Sequence, residues 1–165
     1  MSFAFLVAGF LATTNAGRVA LASRAERPAP RTIAVALVAG IALIAVGVIF
    51  ADDLLDALAI SPESFRIAAG IVLGASGVRT IVWPRPSGPF GAVLVTPALA
   101  CLSVSSGADA ATGKALGAAA IALAVAGIAA AVPPREPAPG LATQFLAALQ
   151  VVIAVALVVS GTRDV

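Results

Sequence analysis

Six long apolar stretches alternate along the chain with short segments that are polar or rich in proline. Each stretch is about 20 residues long, which lets an α-helix cross a hydrocarbon core of about 30 Å. They cover residues 3–22, 32–50, 66–83, 89–107, 115–132 and 142–161. The pattern predicts an all-α membrane protein with six transmembrane helices, spans 1 to 6, in a single domain comprising residues 1–165.

The segments between the spans indicate how the spans are connected. Proline and arginine occur together at residues 27–31, 83–89 and 133–140, which favours loops. Residues 52–58 differ, because three aspartates are interspersed with leucine and alanine. This segment is predicted to form a short amphipathic helix at the membrane surface.

The composition supports a lipid environment and excludes several classes of function. Only 11% of the residues are charged, against roughly 25% in average soluble domains. A net charge of +2 gives no indication of nucleic-acid binding, and the chain has no histidine and a single cysteine. We expect no cofactor or metal, and no enzymatic activity, because the spans offer no nucleophile, base and orienting group. The expected partners are the lipid bilayer and a small solute.

Basic residues are distributed unequally between the two sides of the predicted membrane. The connections after spans 1, 3 and 5 carry six, namely Arg24, Arg27, Arg31, Arg79, Arg85 and Arg135. The opposite side carries three, namely Arg66, Lys114 and Arg163. Because cytoplasmic loops are enriched in Lys and Arg, we predict that both termini lie outside. The expected location is a bacterial inner (plasma) membrane.

The two halves of the chain are predicted to form inverted repeats. Each half has three spans, so the halves run through the membrane in opposite senses. Each half also opens with a span that is polar or broken near its middle. The predicted repeats are approximately residues 1–83 and 89–165.

Interrupted spans at corresponding positions of inverted halves indicate a transporter site near the bilayer midplane. In span 1, Asn15 needs hydrogen-bonding partners in a medium without water, and Arg18 carries a charge into the membrane. In span 4, Pro97 lacks a backbone donor and so frees a carbonyl. The predicted substrate-binding residues are Thr13, Thr14, Asn15, Gly17, Arg18, Thr96, Pro97, Cys101 and Ser103.

Polar and small residues in the spans also have a structural interpretation. Serine and threonine in membrane helices often bond to their own backbone, and a proline often marks a kink without a ligand. We interpret Gln150 as an interhelical hydrogen-bonding partner. The GxxxG spacings at residues 70–74 and 113–117 are interpreted as close helix packing, with a homo-oligomer interface as the alternative.

A family resemblance is carried mainly by residues 54–73. Ile60-Ser61, Phe65–Ala68 and Gly70 resemble a motif of the MarC family, in which a Gly-Ile-Ser turn leads to Ala-Phe-Arg-Ile-Ala-Gly-Gly. Asn15 falls at the family's Asn-Pro-Leu-Gly, and residues 96–100 resemble its Ile-Pro-Leu-Leu-Ala. MarC proteins belong with the LysE-type exporter superfamily. The resemblance implies a multi-pass inner-membrane protein with two three-helix repeats and an export-like role.

This sequence departs from the family at two of the motifs. Ala16 stands where the family has proline after the asparagine, and residues 101–103 are Cys-Leu-Ser in place of Gly-Pro-Gly. Both departures fall on predicted site residues or beside them.

Two classes of function are consistent with these observations. The first is a small-solute secondary transporter or exporter with a midplane site between spans 1 and 4. The alternative is a non-transporting structural or assembly subunit of a membrane complex, whose polar residues only hold helices together. A water-filled cavity converging on Asn15 and Thr96 would favour the transporter, and a dry bundle would favour the subunit.

Overall fold

The protein is built from helices that follow the predicted order of spans. A computed structural model describes residues 1–83, 90–109, 111–131 and 138–163. The helices are α1 (Phe3–Thr14), α2 (Ala16–Glu26), α3 (Pro30–Ile49), α4 (Ala51–Leu58), α5 (Pro62–Val82), α6 (Gly91–Leu94), α7 (Pro97–Asp109), α8 (Thr112–Ala131) and α9 (Ala138–Arg163).

Six membrane-length units arise from these helices, and the chain is therefore a multi-pass membrane protein. Span 1 consists of α1 and α2, span 4 consists of α6 and α7, and spans 2, 3, 5 and 6 are α3, α5, α8 and α9. The all-α, six-span prediction is confirmed. The predicted loops around residues 84–89 and 132–137, with Arg85 and Arg135, lie outside the described residues.

Spans 2 and 3 begin earlier than predicted, because residues that favour the start of a helix precede the predicted bounds. Pro30 and Pro62 stand at the first turns of α3 and α5, where a missing amide donor costs no helical bond. The hydroxyl of Ser61 caps α5 by accepting from the amide of Ser64 at 3.3 Å. Span 3 therefore begins at Pro62 rather than at Arg66.

The short amphipathic helix predicted after span 2 is confirmed as α4. Ala51 and Leu55 are buried against α7, whereas Asp52, Asp53 and Asp56 are exposed. The apolar face packs on the protein and the carboxylates face outward.

The alternating spans give the bundle two distinct ends. One end, which we call the terminal end, contains the first and last helical residues, helix α4 and the α7–α8 connection. The other end is the arginine end, where Arg24, Arg27, Arg31 and Arg79 lie.

The most extensive helix contact joins α5 to α9 and depends on glycines in α5. A Cβ atom built at Gly70 would lie 2.8 Å from the carbonyl oxygen of Ala154, and one at Gly77 would lie 3.0 Å from that of Ala147. Only glycine permits such an approach to the backbone of α9. The packing interpretation of residues 70–74 is thus confirmed.

The second GxxxG spacing behaves differently. Gly113 is exposed, and a Cβ atom there would meet no described atom within 4 Å. The prediction of packing within the chain is therefore wrong at Gly113 as far as the described helices go, because this residue lies near the exposed start of α8. A Cβ atom built at Gly117 would lie 3.8 Å from the ring of Phe3, which is an ordinary contact distance.

Polar side chains add hydrogen bonds between the spans. Gln150 of α9 donates to the carbonyl of Leu73 in α5 at 3.2 Å, which confirms its predicted role. Ser23 of α2 donates to the carbonyl of Ala130 in α8 at 2.8 Å. Each bond satisfies a polar group that has no water partner inside a bilayer.

The glycine contact gives a first testable expectation. Replacing Gly77 by valine should lower the free energy of unfolding by about 1–3 kcal/mol, because the new side chain overpacks the contact with α9. The measurement is denaturation by dodecyl sulfate in mixed micelles. The matched control, Gly113→Val, should change it by less than about 0.5 kcal/mol. Equal losses in the two variants would contradict the close α5–α9 contact.

Candidate functional site

Span 1 is interrupted at Asn15, which ends α1 and starts α2. Its backbone is left-handed, with φ 43° and ψ 75°, a conformation that asparagine tolerates better than most residues. Its backbone amide donates to the carbonyl of Leu11 at 3.0 Å, and its side-chain oxygen accepts from the backbone amide of Arg18 at 3.1 Å. The side-chain nitrogen donates to the carbonyl of Thr143 in α9 at 3.1 Å. One buried residue thus caps both helices and fixes them to span 6.

The threonines before the break bond to their own helix. Thr13 donates to the carbonyl of Gly9 at 2.7 Å, and Thr14 donates to that of Phe10 at 2.9 Å. Gly17 is buried in the first turn of α2. The side chains of Thr13 and Thr14 therefore support the helix end, as in the structural interpretation.

Span 4 is interrupted just before Pro97. Val95 is extended between α6 and α7, with φ −92° and ψ 90°. The hydroxyl of Thr96 accepts from the amide of Leu99 at 3.2 Å, and Pro97 occupies the first turn of α7. A threonine cap followed by proline is a favourable helix start. The break predicted at these two residues is confirmed.

The remaining predicted site residues lie further along α7 and face helices. Ser103 is fully buried, donates to the carbonyl of Leu99 at 2.7 Å and contacts α3 beside Gly47. Cys101 is half-buried against the apolar core.

A cavity of about 370 Å³ opens where the second half of span 1 meets the break in span 4. Three predicted site residues, Arg18, Thr96 and Pro97, line it. Span 3 supplies a further wall that includes Ser76 and Arg79. The cavity lies nearer the arginine end than the middle of the spans. Its position follows from the lining residue Arg79, which is in the last turn of α5.

The cavity lining brings two positive charges together. Arg18 is half-buried, and the charge of Arg79 acts on it through the shared space. The Nε atom of Arg18 is buried without a hydrogen-bond partner among the described residues. Within that part of the chain, neither guanidinium forms an ion pair with a carboxylate. As far as the described residues go, the site is therefore electropositive.

Neutral donors also line the cavity. The hydroxyl of Thr96 uses its oxygen to cap α7, and its hydrogen has no described acceptor. The hydroxyl of Ser76 forms no hydrogen bond in the described ranges. Ala98 lies in the first turn of α7, where amides have no acceptor within the helix. The lining thus offers neutral hydrogen-bond donors beside the two arginines, together with carbonyls freed where α6 ends.

The contribution of span 3 was not predicted from sequence. Arg79 was counted only as a charge of the following connection, and Ser76 was not singled out. The available signal was their spacing, since residues three apart share one face of a helix. This pair lies in the last turns of α5, beyond the apolar stretch in its middle.

A larger cavity of about 550 Å³ lies between α3 and α8. It is lined by leucine, isoleucine and alanine alone, including Leu37, Ile44 and Leu123. It offers no group that could orient a polar ligand, so the smaller cavity is the candidate site.

Comparisons with known proteins do not add to this picture, because no family model, curated protein or solved structure matches the chain. The resemblance to the MarC family therefore stays a prediction based on the motifs described above.

The importance of the left-handed backbone at Asn15 can be tested by two substitutions that remove the same side chain. Asn15→Gly retains access to the left-handed backbone, whereas Asn15→Ala does not. We expect the alanine variant to unfold more easily than the glycine variant by about 1–2 kcal/mol. Denaturation in mixed micelles measures this difference. Equal stability of the two variants would show that the backbone conformation at the break is unimportant.

Proposed function

We propose that this protein is a small-solute secondary transporter or exporter, and that its substrate occupies the cavity lined by Arg18, Thr96 and Arg79. The observation that carries the proposal is a cavity at the break in span 4 that Arg18, just after the break in span 1, also lines, although Asn15 itself does not. Broken helices at a membrane-embedded cavity supply free backbone groups and hydroxyls for a substrate. A bundle that served only as a scaffold would have no need of unbonded donors at such a place.

The two ends of the bundle differ in a way that suits a transporter open to one side. At the terminal end, Arg66 of α5 forms an ion pair with Asp109 of α7. Spans 3 and 4 are thus joined at the terminal end and separated by the cavity toward the arginine end. Transport would require this arrangement to alternate.

The pattern of helix contacts supports two inverted repeats. Exchanging the halves would map span 1 onto span 4, span 2 onto span 5 and span 3 onto span 6. Spans 3 and 6 pack together, as do spans 2 and 5, and each of these pairs maps onto itself. The contact of spans 1 and 5 maps onto the contact of spans 4 and 2, and that of spans 1 and 6 onto that of spans 4 and 3. A pseudo-two-fold axis in the membrane plane would produce these pairings.

The proposal places the protein in a bacterial inner membrane with its arginine end in the cytoplasm. Arg24, Arg27 and Arg31 lie together at the connection of α2 and α3, which supports this orientation. The MarC-like motifs are consistent with an export-like role. The proposal assigns no homo-oligomer interface, and a homo-oligomer stays an alternative.

The orientation can be tested with fusions to the C-terminus. Alkaline phosphatase, which matures only outside the cytoplasm, should be active there, and green fluorescent protein, exported unfolded, should be dark. When the chain is instead truncated after Arg31 and fused there to each reporter, the phosphatase should be inactive and the green fluorescent protein should fluoresce. Fluorescence from the C-terminal fusion would contradict the proposed orientation.

Transport through the cavity can be tested by filling it. Ser76→Trp places a large side chain in the cavity, whereas Ala39→Trp places the same side chain on the exposed face of α3. Cells expressing the wild type should release at least one solute above the level of cells with an empty vector, as measured by untargeted mass spectrometry of the medium. Ser76→Trp should lower that release to the empty-vector level, and Ala39→Trp should leave it unchanged.

The outcome also decides between transport and the alternative of a structural or assembly subunit. Both tryptophan variants must be present in the membrane at wild-type amounts, which immunoblotting of membrane fractions establishes. Solute profiles of the wild type that equal those of the empty vector would contradict the transport proposal. Stable co-purification of another membrane protein in that case would favour the subunit.

A further inference from the structure

The cavity concentrates positive charge without a compensating carboxylate among the described residues. Arg18 reaches it from α2, and Arg79 reaches it from the last turn of α5. Two guanidinium groups that face one space repel each other, and this repulsion is stronger near a low-dielectric medium than in water. A bound anion would remove the repulsion, whereas a bound cation would increase it.

Hydrogen-bond donors line the cavity beside the two charges. The free hydrogen of the Thr96 hydroxyl and the first-turn amide of Ala98 lie at the start of α7, where the helix dipole is positive. The Ser76 hydroxyl lies on the same helix as Arg79 and also lines the cavity. All of these groups can donate to a negatively charged oxygen.

We propose that the cavity is an oxyanion site in which Arg18 and Arg79 together hold one carboxylate or phosphate group, with Thr96 as an additional donor. The planar guanidinium suits this chemistry, because its parallel N–H groups match the oxygens of carboxylates and phosphates. The buried Nε of Arg18, which has no described partner, would then gain an acceptor. If the protein transports as proposed above, its solute is an organic or inorganic anion, and that assignment rests on the proposed function.

The oxyanion has two sources in a membrane. It can be a solute that enters from water, or the headgroup of an anionic lipid, because α5 and α7 face the bilayer where Ala75, Arg79 and Pro97 are exposed. Both sources present the same chemistry to the arginines. The experiment therefore includes an arm for each.

The test measures the binding of inorganic phosphate and of acetate to the purified full-length protein by isothermal titration calorimetry. Nanodiscs of phosphatidylcholine provide a bilayer without a net negative lipid charge. Arg18→Gln and Arg79→Gln should each weaken binding by about tenfold or more, as loss of a charged hydrogen bond would. Arg18→Lys should restore part of the loss. The matched control is Arg31→Gln, an exposed arginine at the same end of the bundle, and it should leave binding unchanged.

A second readout separates a binding role from a structural one. Without an anion, Arg18→Gln and Arg79→Gln should unfold at the same temperature as the wild type or higher, because each removes the repulsion between the two charges. Phosphate should raise the unfolding temperature of the wild type more than that of either variant at the same concentration. Arginines that only stabilised the fold would give variants that unfold at a lower temperature in either buffer.

Adding phosphatidylglycerol to the nanodiscs identifies the source of the anion. Competition with phosphate that depends on Arg18 and Arg79 would assign the site to a lipid headgroup, and unchanged phosphate affinity would assign it to a soluble anion. Either result supports the oxyanion site. Wild-type affinity in both glutamine variants would overturn it, as would a preference for tetraethylammonium over phosphate.

The failure of this proposal is distinguishable from the failure of the proposed function. If anions bind through the arginines but no solute release depends on the cavity, the oxyanion site stands and transport does not. If Ser76→Trp blocks the release of a cationic or neutral solute while neither oxyanion binds, transport stands and the oxyanion site is overturned.

Discussion

A helix that is interrupted inside a bilayer must satisfy its freed backbone groups within the protein, because no water is present to do so. Asn15 meets this constraint for span 1 through its left-handed backbone and through side-chain bonds to Arg18 and Thr143. The bond to Thr143 also ties the break to span 6. The direction of α2, and with it the position of Arg18, follows from this one residue.

The break in span 4 meets the same constraint with different residues, and a cavity remains beside it. Thr96 and Pro97 start α7 cleanly, but α6 is a single short helix and Val95 remains extended. The space left beside it is not filled by apolar side chains, as it is in the core around Leu99 and Leu102. Arg18 and Arg79 occupy its walls instead. Arg79 is exposed near the arginine end, but Arg18 is half-buried and its Nε has no described partner. The cost of placing this one charge within a membrane span is the main reason to assign the cavity a function.

Sequence alone was sufficient for the spans and for both breaks, because each depends on local features such as apolar length, a proline or an asparagine. It was insufficient where an outcome depends on which helices meet. Gly77 and Gly113 are both helical glycines, yet only Gly77 faces another backbone. Thr13 could equally have bonded a ligand or its own helix, since the same hydroxyl serves either purpose. Arg79 was missed because its role arises only when α5 lies beside α2 and α7.

The central claim is that the two broken spans enclose a polar cavity that holds a ligand between Arg18 and Arg79. The most direct test is an experimental density map of the protein extracted with its native lipid. We expect non-protein density between the two guanidinium groups and the first turn of α7. A map in which apolar side chains fill this space, or in which Arg79 turns away toward the lipid headgroups and leaves Arg18 without a ligand, would contradict the claim.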